Sequence, residues 1–168
     1  MDTDYRFLRS DDAPLLLDFL KAIASETDNL AFSFSDIESL DEADERIFIA
    51  ELRKSPSVYA AAISDGKIIG TCEIRASRRL RTKHRGELAI AVRKEFWGKG
   101  VAQHLFGFAV SEARERGIKK ISLSVRKDNE RAIAFYKRNG FVSEGTDPML
   151  LFIDGEYIDG EHFGLILK

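Results

Sequence analysis

The chain has 168 residues, of which 44% are hydrophobic and 32% charged, and its formal net charge is −2. This balance is typical of a globular protein and argues against a general nucleic-acid-binding surface. No apolar run reaches the roughly 20 residues of a membrane span, and the N-terminus is polar and acidic, so we expect residues 1–168 to form one cytoplasmic domain without a membrane partner.

The first third of the chain is predicted to contain a short strand followed by two helices. Residues 5–9 form the strand, and residues 10–12 offer N-caps for the first helix. That helix has apolar residues at helical spacing, namely Leu15, Leu16, Phe19, Leu20 and Ile23. Residues 29–40 are expected to be a loop. The second helix spans residues 41–54, and its apolar stripe is predicted to be Ile47, Phe48 and Leu52.

Three strands are predicted in the middle of the chain, at residues 58–64, 67–76 and 85–92. Asp65-Gly66 between the first two is a strong signal for a two-residue hairpin turn. Residues 78–85, between the second and third strands, are mostly basic. This basic segment is interpreted as a solvated hairpin tip in preference to a site for an acidic ligand.

The second half alternates helices with strands. Residues 100–116 have apolar side chains at a helical period, and Gly117 ends that helix. A strand at 118–125 follows, and then a short helix that Asp128 or Asn129 caps and that ends at Asn139-Gly140. The last strands are placed at 141–144 and 156–167. The pattern indicates an α/β or α+β domain with a mixed sheet.

A glycine loop lies between the strand at 85–92 and the long helix. The segment 97–102 reads Trp-Gly-Lys-Gly-Val-Ala, and such a loop at a helix start can hold a pyrophosphate on backbone N–H groups. It matches neither the Walker A loop nor the Rossmann fingerprint. A plain strand-to-helix turn is the alternative at this point.

This loop resembles the acyl-CoA loop of the GCN5-related N-acetyltransferases, the GNAT family. That pattern is Arg or Gln, two residues, Gly, one residue, and then Gly or Ala. Gly100 and Ala102 match its last two positions, whereas Trp97 stands where Arg or Gln is usual. A second segment also resembles the family, with the right spacing at Asn129, Ala132, Tyr136, Gly140 and Phe141.

The resemblance implies a mostly antiparallel mixed sheet of about seven strands with about four helices. It also implies direct transfer of an acetyl group from acetyl-CoA to a primary amine. The pantetheine arm would then lie along the backbone of Ile90, Ala91 and Val92. The pyrophosphate would rest on N–H groups of the loop and helix start, with charge added by Lys99; these residues are Trp97, Gly98, Lys99, Gly100, Val101 and Ala102.

The same resemblance assigns roles to the second segment. Asn129 and Ala132 would contact CoA, although Asn129 is equally suited to capping its helix, and the two roles are compatible. The hydroxyl of Tyr136 would protonate the leaving thiolate. The alternative for Tyr136 is a buried aromatic residue of the core.

Glu87 and Glu73 are the candidate general bases. If the hairpin between their strands is centred near Leu80, the two carboxylates face each other and raise each other's pKa, which favours a base at neutral pH. The alternatives are an ion pair of Glu73 with Arg75 or Arg85 on a solvated face, and a base relayed through water.

Cys72 is the only cysteine, so no internal disulfide can form, which fits a reducing compartment. No histidine lies near Cys72 in the sequence, so a buried structural thiol is favoured over a covalent acyl-enzyme. His84, His104 and His162 lack metal-ligand spacing, and we expect no metal.

The acceptor is expected to be a small molecule or peptide with a primary amine, such as a protein N-terminus. The segment Asp154-Gly155-Glu156-Tyr157-Ile158-Asp159 resembles bacterial ribosomal-protein and small-molecule acetyltransferases of the family. The loop 29–40 and the basic segment are expected to shape the acceptor site. A homodimer is not decided by the sequence, and a CoA-binding module of this fold without turnover is the alternative function.

Overall fold

The computed structural model describes residues 2–168 and contains one sheet of seven strands in the order β1-β2-β3-β4-β5-β7-β6. The strands are β1 (Asp4–Phe7), β2 (Val58–Ser64), β3 (Lys67–Ala76), β4 (Arg85–Val92), β5 (Lys120–Arg126), β6 (Val142–Ile153) and β7 (Glu156–Ile166). The helices are α1 (Ala13–Glu26), α2 (Phe34–Glu38), α3 (Glu42–Arg53), α4 (Val101–Glu115) and α5 (Glu130–Arg138).

Every neighbouring pair of strands is antiparallel except β4 and β5, which are parallel. Parallel neighbours need a crossover connection, and here α4 supplies it. The predicted mixed, mostly antiparallel sheet is therefore confirmed.

The helices cover both faces of the sheet. On one face, α4 and α5 pack on a core that includes Leu105, Phe106, Ile74 and Leu123. On the other face, α1 and α3 enclose a smaller core around Phe19 and Ile49. Because side chains alternate along a strand, the central strands β2, β3 and β4 contribute to both layers. No helix within residues 2–168 has the length and apolar character needed to cross a membrane.

The structure corrects two of the predicted elements. Residues 2–168 contain five α-helices, against the predicted four or so, because α2 interrupts the predicted loop at 29–40. Ser33 caps α2 through a hydrogen bond from the Asp36 N–H, and the Asp36 carboxylate accepts from the Ser33 N–H in return. Strand β6 continues to Ile153, because an Asp154-Gly155 turn joins it to β7 in a long hairpin.

The buried face of α3 also differs from the predicted stripe. Ile47 is 61% exposed, whereas Glu45, Ile49 and Leu52 are buried. The helix is rotated relative to the expectation because Ile49 packs against α1 and the sheet. A glutamate, Glu45, consequently faces the protein interior.

Candidate active site

A gap opens in the sheet between β4 and β5. The two strands pair only over Arg85–Glu87 and Lys120–Ser122. Strand β4 continues to Val92 and β5 to Arg126, but no pairing joins these later residues. One edge of β4 is therefore left without a strand partner over residues 89–92.

The hydrogen-bond phase of β3 and β4 decides which backbone groups face this gap. The Arg93 N–H donates to the Ile69 carbonyl at 2.9 Å, and the Ser77 N–H donates to the Arg85 carbonyl at 3.0 Å. Odd-numbered residues of β4 therefore direct their N–H and C=O groups to β3. The even-numbered residues Ile90 and Val92 direct theirs to the gap, whereas the N–H of Leu88 still belongs to the last β4–β5 pair, beside Ser122.

This phase corrects one of the predicted pantetheine contacts. Ala91 lies opposite Thr71, and its backbone groups are turned to β3, so they are not available to a ligand in the gap. Ile90 and Val92 keep the orientation that the prediction requires. The Val92 carbonyl already accepts a hydrogen bond of 2.7 Å from the Trp97 indole N–H.

The glycine loop leads from the end of β4 to α4. Gly98 and Gly100 have φ of 74° and 82°, a left-handed conformation that favours glycine. An added Cβ would meet nothing within 4 Å at Gly98, and only the His104 ring at 3.6 Å or more at Gly100. The space beside both glycines is therefore open.

Two of the predicted N–H donors of this loop already have partners. The Trp97 N–H donates to the Lys94 carbonyl at 3.2 Å, and the Lys99 N–H donates to the Phe96 carbonyl at 3.4 Å. Within residues 2–168, no hydrogen bond is found for the N–H groups of Gly98, Gly100, Val101 and Ala102. These four donors at the start of α4 suit an anion.

A cation lies beside this loop even though Trp97 stands where Arg or Gln is usual. The guanidinium of Arg131 lies 4.0 Å from the centre of the Trp97 ring, while the indole N–H is held by β4. The ammonium of Lys99 instead lies 5.2 Å over the Phe96 ring. Arg131 was not singled out from the sequence. The only available signal was its position one helical residue before Ala132 in the second matched segment.

A groove of about 530 Å³ lies beside the loop, lined by Asp28, Asn29, Trp97, Arg126, Asp128, Asn129, Glu130 and Arg131. It connects the start of α5 with the segment that follows α1. The Asn129 side chain accepts a hydrogen bond of 3.2 Å from the Ala132 N–H, so the predicted cap is confirmed. Its amide NH₂ group is still able to donate to a ligand.

Tyr136 is buried among the rings of Phe135, Phe141 and Phe163, with centroids 5.5 to 6.4 Å away. Burial, and to a lesser extent the nearby Cys72 thiol, raises the pKa of this hydroxyl. Cys72 lies opposite Ile90, so the Tyr136 hydroxyl is close to the part of β4 that faces the gap. Its raised pKa keeps it protonated at neutral pH.

The Tyr136 hydroxyl makes no hydrogen bond to another described residue. Every side-chain oxygen or nitrogen of residues 2–168 that lacks a hydrogen-bond partner keeps some contact with solvent, and this hydroxyl is one of them. Burial of Cys72 likewise raises the pKa of its thiol, which keeps it a poor nucleophile. This agrees with the structural role expected for Cys72.

Glu73 and Glu87 do not face each other as predicted. Glu73 lies opposite Ala89, and Glu87 lies opposite Arg75. The hairpin is centred one residue later than Leu80, which shifts each partner by two positions. The two glutamates are consequently diagonal neighbours on the face that α1 and α3 cover.

The two carboxylates also have different surroundings. Glu73 pairs with Arg75 at 2.8 Å, as one of the alternatives anticipated, but its side chain is largely buried and does not lie on a solvated face. Burial raises its pKa, Arg75 opposes that rise, and the charge of Glu87 adds to it. Glu87 is exposed and lies beside Ser122, where the gap begins.

The basic segment 78–85 lies away from the glycine loop. It precedes β4, whereas the loop follows the other end of that strand, about 26 Å away for eight extended residues. Leu80 at its tip is 84% exposed. This position agrees with a solvated tip. Within residues 2–168, no group of three or more His, Cys, Asp or Glu side chains is arranged to hold a metal ion.

Comparison with known proteins agrees with this geometry. Residues 21–141 match the model of the Acetyltransferase (GNAT) family. A crystal structure of a GNAT-family acetyltransferase from Streptococcus pneumoniae is 30% identical, covers 99% of this chain and 100% of its own, and superposes with a TM-score of 0.94. A structure of yncA from Salmonella typhimurium with its cofactor acetyl-CoA has a TM-score of 0.86 at 15% identity, over 100% of this chain and 95% of its own, and shows the fold alone.

Among curated proteins, the L-amino acid N-acetyltransferase AaaT of Escherichia coli is 30% identical over 106 residues, which is 62% of this chain and 65% of that protein. The matches to curated relatives span between 20% and 65% of the relatives' own lengths. The family model and the full-length similarity to the Streptococcus protein both cover the gap, the glycine loop and α5. The chain belongs to the GNAT family of acetyltransferases.

Proposed function

We propose that this protein is an N-acetyltransferase that transfers the acetyl group of acetyl-CoA directly to a primary amine. The observation that carries this proposal is the gap between β4 and β5. Unpaired backbone groups of Ile90 lie along one side of it, free N–H groups lie at its loop end, and the protonated Tyr136 lies close to it.

The residues present fit a CoA thioester. The N–H groups of Gly98, Gly100, Val101 and Ala102 would bind the pyrophosphate at the start of α4, where the helix dipole favours an anion. Arg131 would supply the cation that the loop itself lacks at Trp97. The pantetheine amides would pair with Ile90 and with the N–H of Val92, extending the sheet by one strand.

Acetyl-CoA supplies the activated acyl group, and the chain supplies the proton transfers. The N–H groups of β4 that face the gap would stabilise negative charge developing on the acyl oxygen. Tyr136 would donate its proton to the departing sulfur, since its raised pKa keeps the hydroxyl protonated at neutral pH until the thiolate forms. Cys72 takes no part, because its thiol is buried and protonated.

The acceptor must lose a proton before it can attack. Glu87 is proposed as the base, directly or through a water molecule, because it is exposed and stands where β4 and β5 separate. Glu73 is proposed to orient the acceptor instead, since Arg75 already pairs with its carboxylate.

The experiment is release of free CoA thiol from acetyl-CoA in the presence of a panel of primary amines, with the acetylated products identified by mass. We expect release that depends on the amine and a product heavier by one acetyl group. Thiol release without an amine serves as the control for hydrolysis. Tight binding of acetyl-CoA without any turnover would instead support a binding module, and absence of binding would contradict the proposal altogether.

A further inference from the structure

Glu45 is a buried carboxylate without a partner. Glu45 lies on the interior face of α3, and only 9% of its surface is exposed. Within residues 2–168, the Glu45 side chain makes no hydrogen bond and no ion pair. Its carboxylate oxygens nevertheless keep some contact with solvent. An unpaired carboxylate is costly to bury, so a site open to a ligand explains its position better than packing does.

Glu45 belongs to a cluster of side chains on the face that α1 and α3 cover. Phe48 lies one helical turn after it on α3, and the Arg75 guanidinium that pairs with Glu73 lies over the Phe48 ring. Burial and the charge of Glu73 raise the pKa of Glu45. Tyr59 lies directly opposite Glu73 on the neighbouring strand, and both glutamates raise the pKa of its hydroxyl. Phe48, on the same helix as Glu45, meets the Tyr59 ring edge-on at 6.5 Å.

The charges of this cluster are unbalanced. Arg75 pairs with Glu73 and lies over the Phe48 ring at 5.4 Å, but no cation affects the pKa of Glu45. Arg75 therefore neutralises Glu73, whereas Glu45 has no ion-pair partner among the described residues. The aromatic rings beside them add faces that attract cations and surfaces that accommodate methylene groups.

The Glu73 end of this cluster lies one strand away from the proposed acetyl-transfer site. Glu73 lies opposite Ala89 of β4, one strand spacing of about 4.8 Å from the strand that borders the gap. Its side chain is on the face covered by α1 and α3, whereas the glycine loop leads to α4 on the other face. A molecule bound at Glu45 and Glu73 would thus lie on the opposite side of the sheet from α4.

We propose that Glu45 and Glu73 bind a second ammonium group of the acceptor, so that this protein prefers aliphatic diamines to monoamines and to amino acids. This inference rests on the proposed acetyltransferase function. The second ammonium group would neutralise the charge of Glu45, and the carbon chain between the two amines would lie against Phe48 and Tyr59. A carboxylate at the same position would be repelled by both glutamates.

The test compares three acceptors that each have a chain of four carbon atoms: 1,4-diaminobutane, butylamine and 4-aminobutanoate. We expect kcat/KM for acetylation to fall in that order. In Glu45→Gln, kcat/KM for the diamine should fall about tenfold or more, as expected for loss of one charged hydrogen bond, while the value for butylamine stays within about twofold. Asp44→Asn removes a charge from an exposed neighbour on the same helix and should change neither value.

A binding measurement separates this inference from the proposed function. Calorimetric titration of 1,4-diaminobutane into the protein without acetyl-CoA should give binding that Glu45→Gln weakens and Asp44→Asn does not. That result would support binding at this cluster even if no amine were acetylated. Equal weakening by both variants, equal loss of the diamine and butylamine activities in Glu45→Gln, or preference for 4-aminobutanoate would overturn the inference.

Discussion

The hydroxyl of Tyr136 is the group whose removal most directly tests the proposed chemistry. Tyr136→Phe keeps the ring that packs against Phe141 and Phe163, so we expect the fold and the affinity for acetyl-CoA to be retained. Loss of a general acid should lower kcat by about 10²-fold or more. Single-turnover kinetics are the appropriate measurement, because slow product release would hide the effect in the steady state.

Phe135→Leu is a control for Tyr136→Phe, since it alters the same aromatic cluster without removing a proton donor. We expect it to lower stability more than turnover. A decrease in kcat below about threefold in Tyr136→Phe would assign this tyrosine to packing alone, and the sulfur would then take its proton from solvent.

Asp12 forms the best-defined ion pair outside the proposed site. Its two carboxylate oxygens each accept a hydrogen bond of 2.7 Å from Arg6, and one of them also accepts from the Arg9 N–H. The bond from Arg6 holds the pKa of Asp12 below its usual value. Stability from a carboxylate with a lowered pKa is complete above the unfolded pKa of about 3.9 and is lost as the pH falls through the folded pKa.

We therefore expect Asp12→Asn to lower the free energy of unfolding by about 1.5–3 kcal/mol at pH 7, the contribution of a hydrogen bond to a charged group. The difference in the free energy of unfolding between this variant and the parent should decrease as the pH falls below about 4. Urea unfolding at pH 7 and pH 3 provides the measurement. Asp11→Asn is the control, because its carboxylate is 95% exposed and pairs with Arg46 in solvent. A difference for Asp12→Asn that is independent of pH would assign the loss to packing.

At the scale of elements, local sequence patterns predicted the turns, caps and strand bounds that depend on residues close together in the chain. The structure reproduces the predicted bounds of β2, β3 and β4, and the Asp65-Gly66 turn marks where β2 ends and β3 begins. Asn129 at the start of α5 was predicted from capping chemistry and is confirmed. Such signals involve side chains and backbone within a few residues, so a single sequence contains them.

Tertiary packing decided the features that the sequence did not predict. The register that separates Glu73 from Glu87 depends on a turn whose centre differs by one residue from the expected one. The orientation of α3, which buries Glu45 and exposes Ile47, depends on contacts with α1 and the sheet. The phase that turns Ala91 away from the gap depends on which bonds join β3 to β4.

The turn from β4 into α4 is the element that the proposed CoA site requires. In Gly100→Val, a branched side chain would project beside the free N–H groups of Val101 and Ala102, and the residue would have to keep a φ of 82°. We expect the affinity for acetyl-CoA to fall at least about tenfold, or about 1.4 kcal/mol. Equilibrium titration of acetyl-CoA measures this change.

Gly155→Val is the matched control for this loop variant. Gly155 has a φ of 84° in the β6–β7 turn, and an added Cβ there meets nothing within 4 Å. Both substitutions should reduce stability by a similar amount, about 1–2 kcal/mol for a left-handed L-residue. Only Gly100→Val should weaken CoA binding. Equal affinities in the two variants would mean that the pyrophosphate binds elsewhere.

At the scale of the whole molecule, the gap is a part of the sheet where β4 and β5 form no hydrogen bonds with each other. A bound thioester would fill it. Strands β4 and β5 share only three pairs of residues, although each forms extensive contacts with its other neighbour. A molecule bound in the gap would contact β4, the glycine loop and α5 together. Binding should therefore stabilise the two sides of the sheet as one cooperative unit.

We expect acetyl-CoA at a hundredfold excess over its Kd to raise the free energy of unfolding by about 2.7 kcal/mol, which corresponds to roughly 5–10 °C in Tm for a chain of this size. Hydrogen exchange should slow at the amides of Ile90 and Val92, because these N–H groups face the gap beyond the last β4–β5 pair and have no strand partner there. The amides of Ala89 and Ala91 already bond to β3 and serve as internal controls. A rise in Tm without this alternating protection would show that acetyl-CoA binds outside the gap. An unchanged Tm at millimolar acetyl-CoA would contradict the proposed site.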